Sequence, residues 1–287
     1  METIDLGKRY RRSWALQNCS LEIPAGRIAA LIGPNGAGKT TLLNLAVGLL
    51  SPTEGAVRVF GSAPSDNPEA LGRIGFVAQD RPLYRSFTVS EMLRFGATLN
   101  PRWDDAMARS RLDRLNIPLG QKVHKLSGGQ QSQIALVLAL AKRPELIVLD
   151  EPVAALDPLA RREFLQTLLD ATVETGMTVL LSSHLVGELE RVCDYLVLLN
   201  AARVQFAGDL ETFAEGHRLL VGPRAQTEEL ARVSHVVHAT HTDRQTSLLV
   251  KLNGHGYDPQ WDVRDPGFEE IVLAYMGQRV EEVETTR

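Results

Sequence analysis

Cysteine is nearly absent from this chain. Cys19 and Cys193 are its only two in 287 residues, far apart and without the spacing of a metal-ligand pair. They are expected as buried, reduced thiols, which suits a reducing compartment. A surplus of positive charge is missing as well. Lys and Arg total 31 against 35 Asp and Glu, a formal net charge of −4, so the balance gives no reason to expect nucleic acid as a partner. Long apolar runs are lacking too. The longest, "IALVLALA", reaches only from Ile134 to Ala141, far short of the roughly 20 residues of a spanning helix. Any membrane span is therefore expected from another chain. The opening "METIDLGKRY" mixes acids and bases around no apolar centre and does not read as a secretory signal. No internal repeat or low-complexity tract stands out. What remains, 44% hydrophobic and 23% charged residues, is ordinary for a soluble globular protein of one large domain, or a large and a small one.

Three continuous apolar runs read as strands buried on both faces: "RIAALIG" at Arg27–Gly33, "LIVLDEP" at Leu146–Pro152 and "MTVLLSSH" at Met177–His184. Helix-like segments separate them, which predicts a parallel sheet with crossovers. Ligands gather beyond the carboxyl ends of such strands. At those ends stand a glycine loop with Lys39, the pair Asp150–Glu151, and His184. From Thr88 to Lys125 strand signals fade, and Leu93, Leu99, Leu112, Leu115 and Ile117 recur among charges at roughly helical spacing, which reads as a helical insertion. After Gly208 the pattern changes again. "HRLLVGP" reads as a strand, "RAQTEELARV" as a helix and "SHVVHATHTDRQTSLLVKLNG" as a hairpin. In "DPGFEEIVLAYMG", Phe268, Ile271, Val272, Tyr275 and Met276 form one helical stripe. The stripe packs on its own domain or serves a dimer or regulatory contact.

The loop "GPNGAGKT" at Gly33–Thr40 satisfies the spacing G-x-x-x-x-G-K-[ST], between a strand and a helix. Asn35, Gly36, Ala37 and Gly38 would let the backbone wrap phosphate oxygens at a helix N-terminus, where partial positive charge already resides. Lys39 would reach the β- and γ-phosphates, and Thr40, followed by Thr41, would offer its hydroxyl to Mg²⁺. Asp150 is placed to fix that ion through water and Glu151 to polarise the attacking water. About ninety positions on, "LSGGQ" offers a second cradle: Ser127 as N-cap, with the amides of Gly128, Gly129 and Gln130 left for an anion.

With both glycine loops, the acidic strand end and their spacing in hand, the stretch from about Asp5 to Phe213 resembles the ATP-binding cassette of ABC transporters. The resemblance implies an α/β fold: a P-loop NTPase core with a parallel sheet, antiparallel edge strands and a helical subdomain at about 88–128, over residues 1–213. A small α+β domain over 214–287 would follow. It also implies ATP and Mg²⁺ as cofactors, and a head-to-tail pair of cassettes in which Ser127 and Gly129 cap the γ-phosphate held by the neighbour. Tyr10 matches the aromatic that stacks on adenine. Gln79 matches the glutamine that contacts Mg²⁺ or the attacking water. Asp157 matches the loop that crosses the dimer interface, and His184 the histidine that hydrogen-bonds the γ-phosphate. Two departures stand out: Gln131-Ser132-Gln133 where basic residues are frequent, and Ala155 where serine or glycine is frequent.

The expected function is ATP hydrolysis to ADP and phosphate, powering a transporter, an exporter by overall resemblance. Separate integral membrane permease subunits would be partners, and the chain would lie in the cytoplasm against the inner face of the cell membrane. Leu83, Tyr84 and Phe87 are candidates for the permease contact or for packing beneath the insertion. The alternative is a soluble ABC ATPase acting on ribosomes or DNA, though neither a second cassette nor a long coiled-coil insertion is visible. In "SHVVHATH", strand alternation sets His235 and His241 on one face and His238 on the other, which argues against a shared metal.

Overall fold

A computed structural model of the chain describes residues 1–223, 235–242, 245–251 and 261–277. Strands β1 (Glu2–Tyr10), β2 (Ser13–Glu22) and β4 (Glu54–Arg58) form an antiparallel sheet in the order β2-β1-β4. The central sheet is built from β3 (Ile28–Ile32), β5 (Ile74–Val77), β6 (Leu146–Leu149), β7 (Thr178–Ser182), β8 (Tyr195–Asn200) and β9 (Arg203–Asp209). Its order is β5-β6-β7-β3-β8-β9, parallel throughout except for the antiparallel edge strand β9.

Every residue of β6, β7 and β8 is buried, which is why these runs are apolar without alternation. The two faces still divide the side chains with period two. Ala29 and Leu31 of β3 pack with Leu42, Leu43 and Leu45 of α1 (Lys39–Ala46) and with Leu6 and Leu16 of the antiparallel sheet. Ala30 and Ile32 point the other way. They join Leu136 and Leu140 of α5 (Gly128–Ala141) and Phe164 and Leu168 of α6 (Pro158–Thr175). One sheet thus separates two cores.

Between β4 and β5 lies the short helix α2 (Pro68–Gly72). The helical insertion consists of α3 (Val89–Leu99), begun by a Thr88–Glu91 capping box, and α4 (Asp105–Arg114), capped by Asp104. Leu93, Leu112 and Ile117 pack with Ile134 and Val137 of α5, and Leu115 joins them partly buried. Leu99 lies in the expected helix but is 62% exposed. It ends α3 six residues beyond Leu93, about 240° round the helix, and so faces away.

Two short helices, α7 (Val186–Leu189) and α8 (Leu210–Glu215), flank the far strands. The tail adds an antiparallel sheet of β10 (His217–Pro223), β11 (His235–His241), β12 (Gln245–Lys251) and β13 (Asp262–Arg264), ordered β11-β12-β10-β13. The hairpin read in the sequence is β11–β12, and β13 is an addition. A register shift between Val236 and His238 interrupts the strict alternation expected along β11, and His235, His238 and His241 are all exposed. The helix expected at "RAQTEELARV" lies outside the described residues. The last described helix, α9 (Phe268–Gly277), buries Phe268, Ile271, Val272 and Tyr275. Its stripe meets α7 and β8 of the cassette as well as β11, so it does not pack on the tail alone. Asn200 Nδ2 donates to the Tyr275 carbonyl at 2.8 Å, pinning α9 to the end of β8. Cys19 and Cys193 are buried and unpaired thiols, and desolvation pushes both pKa values up. Among the described residues, no helix is long and apolar enough to cross a membrane.

Candidate functional site

The carboxyl ends of β3, β6 and β7 converge on an open cleft of about 760 Å³. β3 leads into the glycine loop. Gly36 and Gly38 hold φ of +82° and +104°, in the left-handed region that suits glycine. At Gly38 a Cβ would stand 2.3 Å from the Ala15 carbonyl oxygen, so only glycine lets the loop lie so close to β2. Ala37 is buried beneath the loop, while Asn35, Gly36, Gly38, Lys39, Thr40 and Thr41 line the cleft. Lys39 opens α1 and is 7% exposed; its Nζ donates to the carbonyls of Gly33 at 2.7 Å and Pro34 at 3.2 Å.

From the end of β6, Asp150 and Glu151 diverge. Asp150 is buried, and its Oδ1 accepts from Ser182 Oγ at 2.7 Å. The same hydroxyl accepts from the Glu151 amide at 2.9 Å. Glu151 has φ of 44°, a left-handed conformation that a side chain disfavours and the surroundings must hold. That turn sends its carboxylate into the cleft. There Oε1 lies 3.8 Å from Lys39 Nζ and Oε2 lies 3.2 Å from His184 Nδ1. His184, just past β7, is 46% exposed, and Gln79, past β5, lines the same cleft. The arrangement puts an ammonium, an aimed carboxylate, an imidazole and an amide around one opening at a helix N-terminus. Such a set can hold a polyphosphate and orient water beside it.

The remaining candidates lie elsewhere. Tyr10 ends β1, is 47% exposed and does not line the cleft; the Lys8 ammonium sits 5.6 Å from its ring centroid. Asp157 caps α6, accepting from the Leu159 and Ala160 amides at 3.0 Å each. Ser127 caps α5 in a box with Gln130: its Oγ accepts from the Gln130 amide at 3.2 Å, and Gln130 Oε1 accepts from the Ser127 amide at 3.1 Å. The Gln130 amide is thus taken by the cap, unlike the expectation that it stays open. None of Ser127, Gly128, Gly129 and Gln130 lines the cleft. One chain therefore carries two glycine-rich helix starts at separate places.

Residues that sequence reading passed over also matter. Ser182 braces both acids, and Met276 of α9 contributes a wall of the cleft. Ser182 carried a signal, being a hydroxyl within an otherwise apolar strand. Met276 carried none beyond its stripe, because the surface met by that stripe is a tertiary matter.

A parallel sheet that feeds a glycine loop, a buried lysine and an acidic strand end into one cleft defines a P-loop nucleoside triphosphatase. A family model described as ABC transporter matches residues 16–154. The uncharacterized ABC transporter ATP-binding protein YxlF of Bacillus subtilis is 33% identical over 230 residues, covering 78% of this chain and 76% of that protein. The sulfate/thiosulfate import ATP-binding protein CysA of Escherichia coli is 34% identical over 217 residues, covering 72% of this chain but only 59% of CysA. Among solved structures, the bacterial ABC transporter cassette MJ0796, solved as a dimer, superposes with a TM-score of 0.65 at 27% identity, over 72% of this chain and 97% of that one. The same cassette is also known as a dimer in a post-hydrolysis state with ADP and Pi. The chain belongs to the ABC transporter family: it is an ATP-binding, ATP-hydrolysing subunit of a transporter.

Proposed function

We propose that this chain drives an exporter through ATP-dependent closure of a head-to-tail pair of cassettes, with separate permease subunits spanning the membrane. One observation carries the pairing. The signature turn at Ser127–Gln130 and the cleft at Gly33–Thr40 stand at different places on one molecule. A nucleotide in the cleft therefore meets a signature turn only if a second cassette supplies it, as the dimeric state of MJ0796 supports. The export direction draws on overall resemblance alone, a single cassette with a short helical insertion and a small tail, whereas the relative CysA is named an importer. The chain would work in the cytoplasm at the inner face of the membrane. Residues 1–213 would form the motor and 214–287 an accessory unit.

In this reading Asn35–Thr41 wrap the phosphates of ATP, and Lys39 exchanges its carbonyl partners for the β- and γ-oxygens. Tyr10, exposed at the end of β1, would stack on the base. The oxygen donors present suit a hard divalent ion. The Thr40 hydroxyl, the Gln79 amide and, through water, Asp150 would hold Mg²⁺, which supplies charge neutralisation along the phosphates. Glu151 takes the proton of the attacking water, with His184 beside it to hydrogen-bond the γ-phosphate. Ser127, Gly128, Gly129 and Gln130 would close on the neighbour's γ-phosphate, and Asp157 would line the contact. ATP favours the closed pair by its differential affinity, and hydrolysis removes that preference.

Glu151→Gln tests the reading. It keeps the shape of the side chain and loses the base, so hydrolysis is expected to fall about 10²- to 10⁴-fold while ATP still binds. Static light scattering should show a dimer that appears only with Mg-ATP. A variant that stays monomeric with ATP bound would remove the two-cradle pairing.

A further inference from the structure

We propose that Arg81 is a positioning residue: it ties the Gln79 loop to the first turn of α5, so that the signature turn and the loop at this chain's own nucleotide cleft move as one body. The inference rests on the head-to-tail reading above, since it concerns what the signature turn presents to a neighbour. Arg81 lies two residues after Gln79, yet it is absent from the cleft lining, so its guanidinium is not placed to hold nucleotide. Instead Nη1 donates to the Gly128 carbonyl at 3.2 Å and, in a short contact, to Ser132 Oγ. The Ser132 hydroxyl donates in turn to the same Gly128 carbonyl at 3.0 Å. A closed triangle of hydrogen bonds thus joins a loop following β5 to the helix start that carries Ser127 and Gly129.

Three further observations point the same way. The backbone of Arg81 has φ of 47°, a left-handed conformation costly to a residue with a Cβ. Its amide donates to the Ala78 carbonyl at 3.0 Å, and its own carbonyl accepts from the Leu83 amide at 2.7 Å. The loop is thereby wound so that the side chain turns toward α5. Secondly, Ser132 is fully buried, so its hydroxyl has little water to turn to, and the half-buried guanidinium of Arg81 supplies a charge-assisted hydrogen bond. Thirdly, the segment Gln131-Ser132-Gln133 places no cation on the opening turns of α5. A lysine or arginine there would repel Arg81, whereas serine accepts from it. Arg81 and Ser132 are a matched pair, one from each side of the junction.

The tie also lies between two surfaces. Arg81 lines the apolar groove of about 490 Å³ that holds Tyr84 and Phe95, while Gln79 lines the nucleotide cleft. Backbone bonds from Val123 to Phe87 and from His124 to Arg85 join the same two segments just before Ser127, and Arg81 adds the side-chain link to the signature turn itself.

The test uses the full chain in the Glu151→Gln background, with Arg81→Ala, Arg81→Lys, Ser132→Ala and the Arg81→Ala/Ser132→Ala double variant. Backbone hydrogen exchange of the nucleotide-free monomer should quicken at residues 128–132 in Arg81→Ala. ATP binding to the dilute monomer should be unchanged, and the Mg-ATP-dependent dimer should dissociate about ten-fold more readily, the loss of one charge-assisted bond. Arg81→Lys, able to reach one acceptor, should fall between, and the double variant should be no worse than Arg81→Ala alone. Unchanged exchange, or faster exchange with an unaltered dimer constant, would overturn the tie; so would an equal weakening of monomer ATP binding, or strictly additive variants. Should the Glu151→Gln parent itself fail to dimerise, the head-to-tail reading falls, and the exchange rates at 128–132 alone decide whether Arg81 makes the tie.

Discussion

Glu151 shows how much of this site is set one residue at a time. A carboxylate at a strand end could point anywhere. Here a left-handed φ of 44° turns it into the cleft, between Lys39 and His184. Such a conformation persists only when neighbours over-determine it, and the neighbour that does so is Ser182. Its hydroxyl accepts from the Glu151 amide and donates to Asp150, so one oxygen braces two acids. Ser182→Ala would leave a buried carboxylate oxygen and an amide without these partners, at a cost of about 1–3 kcal/mol. We expect a lower melting temperature and a kcat reduced about ten-fold or more, as when the group orienting a ligand is lost. ATP affinity should change less. Steady-state kinetics alongside equilibrium ATP binding would separate the two, and a loss confined to affinity would show that Ser182 does not brace the acids for hydrolysis.

At the scale of elements, the joint that stands out is α9 against the cassette. It is held at Tyr275, whose carbonyl accepts from Asn200 and whose hydroxyl meets His217 Nε2 at 2.9 Å. His217 Nδ1 faces the Phe213 carbonyl at 2.8 Å. A neutral ring satisfies both contacts, with Nδ1 donating and Nε2 accepting from the phenol. Burial lowers the His217 pKa below its ordinary 6.5, with Lys251 and His235 adding to the fall and the Phe213 carbonyl opposing it. A lowered histidine pKa means that the unfolded chain takes up the proton first. The stabilisation is therefore full above pH 6.5 and is lost as pH falls from there toward the folded value. The melting temperature should drop between pH 7.5 and 5.5. In His217→Phe that pH-dependent drop should shrink, from a starting point lowered by the missing hydrogen bonds. An identical pH slope in both proteins would assign the titration to another group. Because Met276 stands one residue past Tyr275 and walls the cleft, this joint also ties the tail to the nucleotide site.

Over the whole molecule, two exposed features lie on either side of the Gln79 loop: the nucleotide cleft and the apolar groove between the insertion and the core. In and beside the groove, Tyr84 stacks on Phe87 at 5.0 Å and meets Phe95 edge-on at 5.2 Å. Tyr84 remains 51% exposed and Leu99 62%. An aromatic cluster left open in this way fits a partner's apolar segment, and the permease is the partner proposed. Leu83 packs inward against the insertion and core, so of the three sequence candidates Tyr84 offers the most open surface. Replacing Tyr84 and Phe95 together by serine should abolish recovery of a multi-span membrane protein with the tagged chain. Its circular dichroism should be unaltered, since Tyr84 is 51% and Phe95 38% exposed and neither belongs to a buried core. Undiminished recovery would move the docking surface away from this groove.

Much of this was legible in the order of residues because the relevant physics is local. The glycine loop needs left-handed turns and a helix start within eight consecutive positions. Strands buried on both faces announce themselves as unbroken apolar runs, and Thr88 and Ser127 mark helix starts by their own hydroxyls. Those features determined the sheet, the cleft and the identity of the groups around it. Other features depended on residues far apart in the chain, and only the tertiary structure decided them. Leu99 lies in a helix as its spacing predicts, but helical spacing alone does not say which face is covered. Ser182 gained its role from a carboxylate 32 positions away, Arg81 from a carbonyl 47 positions away, and α9 its place from Asn200, 75 positions away. A backbone turn costs and gains its energy among neighbours in sequence, so sequence reveals it. A hydrogen bond across the fold exists only once burial has brought its two ends together.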